Sequence, residues 1–156
     1  MTCELEVLVA EKIVEMCPAV EMVRTACSGT EATMAAAYAT LLELTSHPIL
    51  ETIAQRGQRL MDGIMDIFSI AGIPACINGY PAMFSYAMGV ESVSDQRSWD
   101  KSDKEFYLIL VDALIERGVM PDHDPREPWF LCYAHGDAEI DKTLEIFRDA
   151  VKMVKR

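Results

Sequence analysis

Ser28-Gly29-Thr30-Glu31 gathers two hydroxyls, a glycine and a carboxylate at one point of the chain. Ser28 and Glu31 stand at the S-x-x-E spacing of a capping box, and residues 32–44 that follow are dense in Ala, Leu and Met, all strong helix formers. The first N–H groups of a helix have no partner inside it, so they attract an anion; a glycine lets the backbone come close and hydroxyls add donors. Ser28, Gly29 and Thr30 therefore suit phosphate or another small anion. The same residues equally suit a plain capped helix with no ligand. A third use is Ser28 as a nucleophile in an esterase-like hydrolase, since a helix start can stabilise an oxyanion. The G-x-S-x-G elbow is missing, however, and no histidine stands at a telling spacing.

The other chemistry-bearing residues are scattered. His123 lies between Asp122 and Asp124 in a proline-bounded loop, where it could be a metal ligand or an oriented base, and where a solvated histidine is the ordinary outcome. His47 and His135 each adjoin a helix start and suit local hydrogen bonding. Three histidines and no H-E-x-x-H leave no zinc or iron site to expect. Arg24 and Arg126 could hold a carboxylate, although surface ion pairing is their commoner use. The five cysteines, Cys3, Cys17, Cys27, Cys76 and Cys132, are odd in number, with no C-x-x-C pair, and read as reduced thiols. Ten methionines suit a core, or an interface.

The elements that must position these groups are legible from periodicity. Val7, Ala10, Ile13, Val14 and Cys17 recur at helical spacing and predict an opening helix ending before Pro18. Residues 20–27 alternate loosely, as a short strand leading into Ser28. A helix is expected over about 31–44, and another from Pro48 to about Ala71, with Ile49, Ile53, Leu60, Ile64, Ile67 and Phe68 on one stripe and Gly72 as its left-handed stop. Residues 75–78 and 83–89, separated by Gly79-Tyr80-Pro81, predict a hairpin. The polar residues 91–101 suggest a loop. Ser102 and Glu105 repeat the capping-box spacing before a helix over 106–116, which Gly118 follows. Val119-Met120 and residues 129–133 suit strands around a proline-rich loop, and 137–154 a final amphipathic helix. These elements amount to an α+β protein with a small, mainly antiparallel sheet packed with helices, in one domain over 1–156.

Bulk properties narrow the function classes. At 156 residues, 51% hydrophobic and 25% charged, the chain has room for one domain and its core. A net charge of −11 with no basic patch disfavours nucleic acid and anionic membrane surfaces as partners. No stretch approaches the length of a membrane span. The first ten residues carry Glu4 and Glu6 and no basic leader, so the expected location is the cytoplasm.

Two stretches then carry a resemblance. Val23-Arg24-Thr25-Ala26-Cys27-Ser28-Gly29-Thr30-Glu31-Ala32 resembles the phosphate-cup motif of glutamate-1-semialdehyde aminomutase and its class III aminotransferase relatives, with Cys27 where that family has Asn. From His47 onward, the long helix, Gly72, Asn78-Gly79-Tyr80-Pro81-Ala82-Met83-Phe84, Glu116-Arg117-Gly118-Val119, Trp129-Phe130-Leu131-Cys132 and the last helix look like the family's C-terminal small domain, in its usual order. The resemblance implies a small domain of the type I pyridoxal-phosphate (PLP) fold over 47–156, preceded over 1–46 by a helix and a phosphate-cup-like strand and helix. It also implies a shortened form. In the family more than half the chain lies between these segments and carries the ring-stacking aromatic, the acid facing the pyridine nitrogen and the Schiff-base lysine. Here Thr30 and His47 are only seventeen positions apart, and Tyr38-Ala39-Thr40-Leu41-Leu42 resembles the family helix that follows the lysine region. None of Lys12, Lys101, Lys104, Lys142, Lys152 and Lys155 sits at a Gly-rich strand end.

The expectation is a protein without transaminase activity by itself, requiring no cofactor, with residual PLP or phosphate affinity at Ser28, Gly29 and Thr30. The esterase-like use of Ser28 is one alternative, and a subunit that completes a PLP site with a separate partner is another. The family works as dimers, and loss of a large domain would bare apolar surface, so a homodimer is expected.

Overall fold

The computed structural model describes residues 4–16, 22–23, 25 and 28–155. The strand expected over 20–27, with Arg24 and Cys27, falls largely outside them. The chain divides into two compact units, Met1–His47 and Pro48–Arg156.

The first unit holds α1 (Glu4–Met16) and α2 (Gly29–Ser46). Neither rests on a buried core: no side chain described in this unit is buried. Local forces hold α2. Its 18 residues are mostly Ala, Leu, Met and Thr, Ser28 caps its start, and the Thr33, Thr40 and Thr45 hydroxyls donate back to carbonyls one turn earlier.

The second unit is built on burial. It runs α3 (Ile49–Ala71), β1 (Ala75–Tyr80), β2 (Met83–Met88), α4 (Gln96–Trp99), α5 (Lys104–Ile115), β3 (Trp129–Phe130) and α6 (Asp137–Val154). The strands form an antiparallel sheet in the order β1-β2-β3. Side chains alternate across a strand, so Phe84, Tyr86 and Met88 turn inward together. They meet Leu60, Ile64, Ile67 and Phe68 of α3, Tyr107, Leu110, Val111 and Leu114 of α5, and Ile140, Phe147, Ala150 and Val151 of α6. At the centre the rings of Phe68, Tyr86, Trp129 and Phe147 lie 5.3–6.2 Å apart, mostly tilted or edge-on as ring quadrupoles prefer.

Three details fix how these pieces meet. Gly72 takes the left-handed conformation at φ 66°, and Ile73 N–H returns to Phe68 O at 2.9 Å, closing α3 with a Schellman cap. A Cβ at Gly57 would stand 1.9 Å from Pro81 O, so only glycine lets α3 lie against the hairpin turn. Arg59 spans from α3 to Asp137 and Asp141 on α6, and Arg56 reaches Asp137 at 3.8 Å.

The α+β class with a small antiparallel sheet is as the sequence predicted, and four local expectations differ. The polar stretch 91–101 is interrupted by α4, because Asp95 accepts from Ser98 N–H while the Ser98 hydroxyl accepts from Asp95 N–H, a capping box with serine in the usual glutamate position. The start of α5 is capped by Asp103, which accepts from Phe106 N–H at 2.9 Å; Ser102 instead gives its hydroxyl to Trp99 O. A carboxylate one residue nearer the helix outcompetes the hydroxyl. Val119-Met120 forms no strand. The last strand is only Trp129–Phe130, since Pro128 precedes it and beyond Leu131 the backbone turns at Cys132–His135.

Candidate functional site

The anion-cradle residues come together at the start of α2. Ser28 is extended (φ −149°, ψ 159°) and its Oγ accepts from Glu31 N–H at 3.2 Å, while Ala32 N–H bonds Ser28 O at 3.1 Å as the first helical link. Gly29 and Thr30 therefore carry the leading N–H groups, next to the positive end of the helix dipole. All three residues are exposed, and a Cβ on Gly29 would meet nothing within 4 Å. Two amides and two hydroxyls gather at this open end. The first unit's described residues supply no lysine at that helix end: Lys12 lies on α1 and pairs with Glu15 at 2.8 Å.

The remaining lysines all belong to the second unit. Lys101, Lys142, Lys152 and Lys155 are exposed, and half-buried Lys104 lies 4.1 Å from the centroid of the Trp99 ring. None of these surroundings encloses the amine as an imine-forming lysine requires.

The histidines occupy three different settings. His47 ends α2, its N–H on Glu43 O and its ring 3.7 Å from the Glu43 carboxylate. Eighteen residues of helix separate it from Ser28, about 27 Å at 1.5 Å per residue, so it does not serve as a base for that hydroxyl. His123 Nε2 lies 2.9 Å from Asp112 Oδ1 on α5, an exposed pair. His135 Nδ1 accepts from Cys132 N–H at 3.0 Å and lies 3.4 Å from Cys132 Sγ. No group of three or more His, Cys, Asp or Glu placed to hold a metal occurs among the described residues. Arg126 grips Asp124 through Nε and Nη2, and that grip holds the Asp124 carboxyl down at about 2.

Sequence reasoning missed the Cys132–His135 pair. Its only trace is the C-x-x-H spacing, which becomes a contact once residues 132–135 close a turn in which His135 N–H donates to Cys132 O at 3.1 Å. His135 also lines a cleft of about 440 Å³ with Leu60, Trp129, Leu131 and Ile140.

No family profile matches the chain. Individual relatives do. The chain is 36% identical over 125 residues to the glutamate-1-semialdehyde 2,1-aminomutase of Desulfitobacterium hafniense, covering 80% of this chain and 29% of that one. It is 33% identical over 120 residues to the aminomutase of Thermoplasma acidophilum, covering 77% and 28%. The chain belongs, over that stretch, to the glutamate-1-semialdehyde aminomutase-like class III aminotransferases. Solved structures agree on the fold. The FumI protein of Sphingopyxis sp. MTA144, determined as its PLP internal aldimine form, aligns with a TM-score of 0.65 and 26% identity over 78% of this chain and 26% of that one. An omega-transaminase from Thermomicrobium roseum aligns at 0.60 and 21% identity, over 94% and 32%. This aminomutase-like chain thus spans under a third of the length of the relatives it matches. Among its described residues no helix is long and apolar enough to cross a membrane.

Proposed function

We propose that this aminomutase-like chain does not transaminate by itself and keeps, at most, an affinity for phosphate or the phosphate end of PLP at Ser28, Gly29 and Thr30. One observation carries the reading: five of the six lysines are exposed and the sixth, Lys104, lies over the half-buried Trp99 ring, whereas an imine-forming lysine needs an enclosed amine. The open helix start of α2 supports the anion half of the reading, with Ser28 Oγ held in place by Glu31 N–H. No histidine lies on α2 beside Ser28, which favours binding over hydrolysis there.

The same reading takes the chain as a cytoplasmic homodimer. Exposed apolar side chains such as Tyr80, Met120 and Phe130 support self-association. The experiment is incubation with PLP followed by borohydride reduction and peptide mass spectrometry. No pyridoxyl-lysine is expected; a stable adduct on any of the six lysines overturns the reading. Light scattering at micromolar concentration is expected to give the mass of two chains, and a monomer removes the dimer.

A further inference from the structure

Where the last turns of α3 and α6 lie side by side, a pocket of about 220 Å³ opens between them. Buried Ile67 and Val151 and half-buried Ala71 line it, and Ile70, 87% exposed, stands at its edge. The charged lining is all of one sign. Arg148, Lys152 and Lys155 stand at i, i+4 and i+7 along α6 and its cap, a spacing that gathers them on one face of the helix. No carboxylate stands among the described residues that line the pocket. On a chain of net charge −11 such a group of cations is unexpected, and only the helical period assembles it.

Ordinary uses account for part of the group. Lys152 lies 3.3 Å from the Asp149 carboxylate, and Lys152 and Lys155 sit at the end of α6, where cations offset the helix dipole. Arg148 stands more than a turn earlier. Among the described residues, neither Arg148 nor Lys155 makes an ion pair or a side-chain hydrogen bond. Laying long stems over apolar surface explains where these side chains run but leaves their charged heads unmatched.

An apolar recess with cationic heads at its rim complements an apolar body that carries one anionic head. The planar guanidinium of Arg148 matches a carboxylate through two parallel N–H donors. The volume falls below the roughly 300–1,000 Å³ of sites for drug-sized ligands, so the body must be short. We propose that this pocket binds a medium-chain monocarboxylate, its alkyl chain against Ile67, Ile70 and Val151 and its carboxylate between Arg148 and Lys155. The site belongs wholly to the second unit, so its fate is separate from that of the anion cradle at Ser28 and of the borohydride experiment.

The experiment follows the amide resonances of the full chain while sodium octanoate is added to about 10 mM, a range suited to the weak binding of so small a ligand. Saturable shifts centred on residues 67–71 and 148–155 are expected. Arg148→Gln combined with Lys155→Gln changes two exposed positions and is expected to weaken octanoate at least about fivefold, with the rest of the spectrum unchanged. Butanoate, shorter by four methylenes, is expected to bind at least about tenfold more weakly, and octylamine, of opposite charge, to give no saturable shift there. The absence of octanoate shifts at these residues overturns the proposal, as does a response centred on the start of α2. Equal affinity in the double variant, or for butanoate or octylamine, overturns it too. Shifts of 67–71 and 148–155 on dilution without octanoate would assign the pocket to a second copy of the chain and would equally end the proposal.

Discussion

The first unit and the second keep their helices by opposite means. In Met1–His47 no described side chain is buried, and α2 stands on alanine-rich composition, the Ser28 cap and threonine back-bonds. In Pro48–Arg156 each long helix presents a stripe to one shared core, from Leu60 of α3 to Val151 of α6. Local preference stabilises a helix by tenths of a kcal/mol per residue, whereas a single buried aromatic or aliphatic side chain contributes a few kcal/mol. The second unit is therefore the part whose geometry is over-determined. The candidate anion cradle sits where structure is held most lightly.

Matched substitutions can break that contrast. Leu114→Ala, at a fully buried position of α5, is expected to cost about 2–5 kcal/mol in denaturant unfolding, while Leu41→Ala on α2, 59% exposed, stays within about 0.5 kcal/mol. Equal losses would mean that α2 shares the core's cooperativity. Gly57→Ala comes next. A methyl 1.9 Å from Pro81 O forces α3 and the hairpin apart, and about 1–3 kcal/mol of destabilisation is expected by the same measurement.

Alkaline titration sharpens the comparison further. Burial first, then Asp122 and Asp124, pushes Tyr107 up to about 12, and burial raises Tyr86 well above its ordinary value. Both phenols hold their protons more tightly when folded, so the stability they confer is present below about pH 10 and is lost as pH rises toward about 12. The part of the tyrosinate absorbance near 295 nm that belongs to these two buried phenols should therefore rise together with loss of near-ultraviolet circular dichroism, a signal dominated by the second unit's aromatic rings. Early ionisation of Tyr107 without unfolding would contradict its burial.

The smallest effects are expected at two hydroxyls. Ser28→Ala removes the acceptor for Glu31 N–H and should weaken α2 by about 1 kcal/mol, seen as faster amide exchange confined to its first turn. The Tyr86 hydroxyl is buried with no hydrogen-bond partner among the described residues, so Tyr86→Phe should be neutral or stabilise by up to about 1 kcal/mol in thermal unfolding.

Legibility in the sequence followed the same divide. The α3 stripe, Gly72 and the final helix could be read because burial on one face imposes a period of 3.6, and a left-handed stop calls for glycine. Ser28 could be read as a cap because capping is local. What could not be read depends on competition or distance. Asp103 displaced Ser102 as the α5 cap through one residue of register, and α4 was hidden because Ser98 plays the part usually given to glutamate. Nothing in the sequence near Gly57 announces Pro81. The Cys132–His135 contact became visible only once the turn between them was closed.

The bare backbone of Gly57 has a mechanical corollary. With no side chain between α3 and the Pro81 carbonyl, there is no soft layer to absorb relative sliding, so the hairpin tip and the long helix must move as one lever. A fluorophore on Tyr80, at the exposed end of that lever, would report tilting of α3 as faithfully as a label on the helix itself.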